Sequence, residues 1–128
     1  MKVIGAVSPE VEKILNITGI VNRNIYIGES NILHMKSSHP ADYEKYKAEI
    51  GNILSNPDYI GLNKKDSSIE YVKEFCIDNE FVKVAVRVSQ SNRFYARSLY
   101  VLNNNRVKNF ISKNTLKPID KKLFYGIL

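Results

Sequence analysis

Phe81-Val82-Lys83-Val84-Ala85-Val86-Arg87-Val88-Ser89 is a strand that can be read from its spelling. Successive side chains of a strand point to opposite faces. Val82, Val84, Val86 and Val88 therefore share one face, and Lys83, Ala85 and Arg87 share the other. The valine row predicts burial, and a strand buried on one face only suits an antiparallel sheet. Turn residues flank it, Asp78-Asn79 before and Ser91-Asn92 after. The neighbouring segments are then hairpin partners. Upstream, Ser68–Cys76 alternates Ile69, Tyr71, Lys73 and Phe75 against Glu70, Val72, Glu74 and Cys76. Neither set is cleanly apolar, so the buried face of this strand stays open. Downstream, Arg93–Val101 sets Arg93, Tyr95, Arg97, Leu99 and Val101 against Phe94, Ala96, Ser98 and Tyr100.

Further outward, Tyr59–Leu62 is extended and Lys64-Lys65-Asp66-Ser67 is a turn. Asn103–Asn105 can cap a last helix carrying Val107, Phe110 and Ile111. The tail from Thr115 to Leu128 mixes Pro118 with Lys121-Lys122 and is expected to be loosely ordered. Towards the N-terminus the period becomes helical. Ser8-Pro9-Glu10 is a helix start, with Val11, Ile14 and Leu15 as its apolar stripe and Asn16 and Gly19 as its stop. Asn24–Gly28 is a short strand, and Ser30 can cap a helix reaching about Lys36. Pro40 opens a long helix to Ser55, with Tyr43, Tyr46, Ile50, Ile53 and Leu54 on one face. Asn56-Pro57 ends it. Helices followed by a strand meander predict an α+β fold with the helices on one sheet face, leaving the other free for a polar, cationic groove.

The chain has 128 residues, enough for one core and one domain. Neither a linker, a repeat nor a low-complexity stretch divides it. Its net charge is +6, which favours polyanionic partners and says nothing about specificity. The single cysteine, Cys76, excludes an internal disulfide and a cysteine-based metal cluster. The N-terminus lacks the apolar core of a signal peptide, and no stretch approaches a membrane span. A cytoplasmic location and no membrane partner are expected.

Several chemistries lack their residues. The glycines are too scattered for a phosphate loop, two histidines and one cysteine are too few for a zinc pattern, and no Gly-x-Ser-x-Gly elbow occurs. No cofactor or metal is expected. What remains is His, Lys, Arg, Ser and Tyr, which suffice for cleavage of RNA. The ribose 2′-OH is itself the nucleophile. The protein need only take its proton, stabilise the phosphorane charge and protonate the leaving oxygen. Both histidines, His34 and His39, lie five residues apart across a break between two helices. His39 falls at the N-cap before Pro40, beside free N–H groups where phosphate is also favoured. The simplest reading of His34 is a packed helix residue bonded to backbone.

Together these segments resemble the phage-associated branch of the barnase–EndoU–colicin–RelE-like nuclease superfamily. The resemblance rests on the order of Ser8–Leu15, Ile25-Tyr26-Ile27, Ile32-Leu33-His34-Met35 with His39-Pro40, Ile53–Ile60, and the later strands with Lys73, Val82–Val88 and Ala96–Tyr100. It covers about residues 5–112. It implies N-terminal helices packed on a four-stranded antiparallel sheet, with the active site on the sheet. It also implies a metal-independent endoribonuclease, as a phage or toxin module, acting on RNA, with tRNA among the candidate targets, and held by a cognate immunity protein or antitoxin. The helix-end histidine falls on His39, with His34 as the other choice. The basic strand residue falls on Lys73, with Arg87 as the weaker match. The hydroxyl of the last strand falls on Ser98, with Tyr100 beside it, and Arg97 is a further substrate-binding candidate. Plain readings compete: Lys73 as a solvated strand residue, Ser98 as a small packed one, Arg93 and Arg97 as a solvated edge. At the level of the whole protein, the alternative is a module that keeps the fold and only binds RNA or a protein, for example a phage-encoded inhibitor.

Overall fold

A computed structural model describes residues 1–119. Its elements are β1 (Lys2–Ala6), α1 (Pro9–Leu15), β2 (Asn24–Ile27), α2 (Glu29–Ser38), α3 (Pro40–Tyr46), α4 (Ile50–Ser55), β3 (Tyr59–Leu62), β4 (Ile69–Phe75), β5 (Glu80–Val88), β6 (Phe94–Leu102), α5 (Asn104–Ser112) and β7 (Lys117–Pro118). Local chemistry sets several boundaries. The Ser8 side chain accepts from the Val11 amide at 3.1 Å, and Asn16 closes α1 in the left-handed region with φ 56°. Asn103 caps α5 by accepting from the amides of Asn105 and Arg106. The start of α2 differs from the Ser30 cap expected: Gly28 is the N-cap, and the Asn31 side chain accepts from its amide.

The expected helix from Pro40 to Ser55 is broken. A 3-10 turn at Lys47–Glu49 separates α3 from α4. It follows Tyr46, whose ring packs on Phe75 and whose hydroxyl donates to Glu80. With Tyr46 docked there, the tighter turn re-aims Ile50, Ile53 and Leu54 into the core, where all three are buried.

The four-stranded antiparallel sheet expected is the middle of a larger one. Among the described residues, seven strands run in the order β1-β2-β6-β5-β4-β3-β7. All neighbours are antiparallel except β2 and β6, so the sheet is mixed. β1 and β7 were not foreseen: Lys2–Ala6 is short, and Lys117–Pro118 lies in the tail expected to be loose. Leu116 and Ile119 are buried, which ties that part of the tail down. Gly61 permits the approach, because a Cβ there would stand 2.6 Å from the Thr115 carbonyl. Residues 120–128, the rest of the tail, lie outside the described residues.

The valine row is buried as expected for Val82, Val84 and Val86, but Val88, the last residue of β5, is 48% exposed. The register settles the ambiguous face of β4. Ile69, Tyr71 and Lys73 pair with Val86, Val84 and Val82, and so lie on the valine side. Val11, Met35, Tyr43, Ile53 and Leu54 complete this core from the four N-terminal helices. The helices are not confined to that face. α5 sits on the other, where Val107 packs with Val72, Leu102 and Leu116.

Val84 is fully buried between Tyr71 and Leu99. Val84→Asp buries an unpaired carboxylate at a cost of several kcal/mol, comparable with the whole stability of a small domain. The variant should lack a cooperative thermal melt by circular dichroism; a melting curve like the parent's would refute the assignment of this face.

Candidate active site

The helix-packed face is largely taken up by the core. The opposite face is covered at one end by α5, and elsewhere it displays Glu70, Lys83, Arg87, Tyr95, Ser98 and Tyr100. Two irregularities build a site there.

The first is at the outer edge of β6. β2 pairs with β6 only at Phe94 and Tyr95. Beyond that, Asp42 of α3 accepts from the Val101 amide at 3.0 Å and occupies the edge instead. The α2–α3 joint is thereby held over β6. His39 is this joint, C-cap of one helix and N-cap of the next, as expected from Pro40. Its ring makes no capping bond to the helix. It is exposed and stacks on Tyr100, with ring centroids 4.7 Å apart and planes 26° apart.

The second is a bulge in β6. Ala85 pairs with Ser98 but Val86 pairs with Ala96, so Arg97 is an extra residue. Strict alternation would put Tyr95 and Arg97 opposite Ser98 and Tyr100. The bulge changes the phase: Phe94, Ala96 and Leu99 are buried in the core, and Tyr95 joins Ser98 and Tyr100 on the open face. A cleft of about 480 Å³ results, lined among others by Ser30, Asn31, His34, Arg87, Tyr95 and Arg97. His34 is not the packed residue expected. It is exposed on α2, which runs along β6, and it faces two arginines across this cleft. The field of those arginines reaches Asp66, whose carboxyl is held below its usual range first by bonds from Ser68 and then by Arg87 and Arg97.

Between the histidines and α5 stands Lys83. Its ammonium lies 4.7 Å from the Tyr100 ring centroid and 2.8 Å from Glu70 Oε2. Both side chains of the ion pair are only 12% exposed. Burial by itself would lower the Lys83 pKa, but the Glu70 carboxylate and the Tyr100 hydroxyl outweigh it and raise the pKa. Lys83 thus stays charged under the ring on which His39 stacks. Neither Lys83 nor Glu70 was singled out from the sequence. The available signal was that Lys83 shares the polar face of the valine strand with Arg87.

The structure brings His34, His39, Arg87, Arg97, Ser98 and Tyr100 to one face. It separates Lys73 from them by the sheet: Lys73 is on the valine side, where its ammonium donates to the Asn56 carbonyl at 3.0 Å behind α4. Arg93 is elsewhere too, over the Tyr26 ring at 5.5 Å. Among the described residues, no three His, Cys, Asp or Glu side chains converge as a metal-holding group, and no helix is long and apolar enough to cross a membrane.

A cationic sheet face rimmed by two exposed histidines is the layout of a domain that handles a polyanion. The chain belongs to the phage-Barnase-EndoU-ColicinE5/D-RelE like nuclease3 family, which matches residues 1–109. This is the phage-associated nuclease branch to which the sequence motifs pointed, and it makes a nucleic acid the substrate class. Comparison with curated proteins and with solved structures found no match.

The Glu70–Lys83 pair can be tested directly. Glu70→Gln leaves a largely buried ammonium without its counter-charge and should cost about 2 kcal/mol in urea unfolding. Lys83 has a folded pKa above the ordinary 10.5, so its contribution is complete below that pH and fades as pH rises through the folded value. The stability gap between parent and variant should therefore be constant through neutral pH and narrow above about 10.5. A gap that is absent at pH 7 would refute the role given to the pair.

Proposed function

We propose that the protein is an endoribonuclease of the cytoplasm that cleaves RNA without a metal ion, by attack of the 2′-OH on the adjacent phosphorus. The observation that carries this reading is the exposed His39 ring, held by stacking on Tyr100 and by no hydrogen bond to its own helix. A ring fixed in this way keeps its nitrogens for a substrate.

His39 and His34 flank the stretch of β6 that carries Arg97 and Ser98. One histidine takes the 2′-OH proton as the oxygen attacks phosphorus. The 5′-oxygen leaves with its bonding electrons and takes a proton from the other. The products are a 2′,3′-cyclic phosphate and a free 5′-OH. Arg87 and Arg97, in the cleft with His34, supply charge to the phosphorane oxygens. Ser98 can orient one of those oxygens. Lys83 holds positive potential beneath Tyr100, while Glu70 limits its own direct contact with phosphate. Lys73 has a different part here: it holds the C-terminal end of α4 through Asn56.

Incubation of the full chain with a mixed RNA pool, with the new ends read by mass, tests the reaction. Cyclic phosphate ends are expected, DNA and RNA blocked at the 2′-OH should survive, and EDTA should change nothing. His39→Ala and His34→Ala should each lower the rate by about 100-fold or more. Both residues are exposed, so neither change should lower the melting temperature. Lys73→Met should do the reverse, with a lower melting temperature and nearly the parent's rate. Cleavage abolished by EDTA would refute the metal-free step. His39→Ala cutting as fast as the parent would remove that histidine, and no cleavage of any RNA would remove the enzymatic reading in favour of a binding module.

A further inference from the structure

We infer that a second groove on the same face binds the single-stranded RNA that flanks the bond to be cut. The inference rests on reading the open face as an RNA site. The groove has a volume of about 390 Å³ and is lined among others by Lys64, Lys65, Lys83, Tyr100, Arg106 and Phe110. It begins where the candidate active site ends, because the Tyr100 ring is shared. His39 stacks on that ring, and Tyr100 is also part of the groove wall.

Charge and ring content point to the ligand. The acid in the groove lining, Glu70, is already paired with Lys83. Lys64, Lys65 and Arg106 are exposed, and none of them forms an ion pair among the described residues. The Arg106 guanidinium lies over the half-buried Phe110 ring, 5.6 Å from its centroid. Cations that track a backbone, interleaved with aromatic rings at the wall, are what an unpaired polynucleotide requires.

Arg106 also contradicts its own helix. It sits in the first turn of α5, where the positive end of the helix dipole favours acids, and that turn carries none. A glutamate at this position would suit the helix better. The arginine is therefore poor for local stability and good for the groove, the pattern expected of a residue retained for binding. Lys64 and Lys65 stand in the turn after β3, where the Asn63 side chain accepts from the Lys65 amide and leaves both lysine side chains free of the turn's own bonding.

The test separates binding from cleavage. The probe is a fluorescent 2′-O-methyl RNA of about 12 nucleotides, which cannot react through the 2′ position, against a 2′-O-methyl dinucleotide. Lys64→Glu, Lys65→Glu and Arg106→Glu combined should weaken the longer probe by about 10-fold or more and flatten its log affinity against log salt by about 2 units. Dinucleotide binding should not change, and Arg106→Glu alone should not lower the melting temperature. Lys108→Glu, an exposed α5 charge outside the groove lining, is the control and should leave binding near the parent's. Equal affinity of the triple variant and the parent would overturn the groove, and so would an equal loss per charge with Lys108→Glu. A parent that binds the long probe but cuts no RNA would remove the proposed reaction and leave the groove. A triple variant that binds like the parent while cleavage persists would do the opposite.

Discussion

The hydrogen bond from the Val101 amide to the Asp42 carboxylate governs how this molecule is arranged. An unpaired strand edge has a row of donors and acceptors to satisfy. β2 is too short to cover β6, and its pairing stops at Tyr95. Asp42 takes the next part of the edge and so fixes where α3 begins. Because Pro40 opens α3, the preceding residue must be the joint with α2, and that residue is His39. Satisfying a strand edge thus places a histidine over Tyr100, on the face where the arginines stand.

The β6 bulge is the complementary constraint. A sheet residue out of phase by one position changes face. Without the extra residue at Arg97, Tyr95 would be buried with the valines or Tyr100 would be, and the open face would lose one of these two tyrosines. With it, Leu99 and Ala96 both serve the core while Tyr95 and Tyr100 both serve the surface. Bulges recur beside active sites because they re-aim a side chain without ending a strand.

Ion pairing divides the cations into kinds. Lys83 is nearly buried and held by Glu70, so it contributes a fixed potential. Arg87 and Arg97 line a cleft of open solvent with His34. Lys45 and Arg23 are engaged elsewhere, with Glu80 and Glu12. The +6 balance of the chain therefore becomes a local property: several of the cations not used for structure gather on one face. That distribution suits membership of a nuclease family better than the net charge does.

The sequence by itself determined what depends on near neighbours. Val82, Val84 and Val86 announce a half-buried strand, Asn92 and Asn79 adopt positive φ in the turns read there, and Ser8, Asn103 and Pro40 set helix starts. The family was legible as well, through the order of its segments. The tertiary structure alone decided what depends on distant partners. Lys73 and Lys83 are both strand lysines, and only the β4–β5 register sends one to α4 and the other beneath Tyr100. The outer strands, the parallel β2–β6 contact and the bulge are likewise set by hydrogen bonds between segments far apart in the chain. Alternation within a strand says which side chains travel together; which face they travel to depends on the strand beside it.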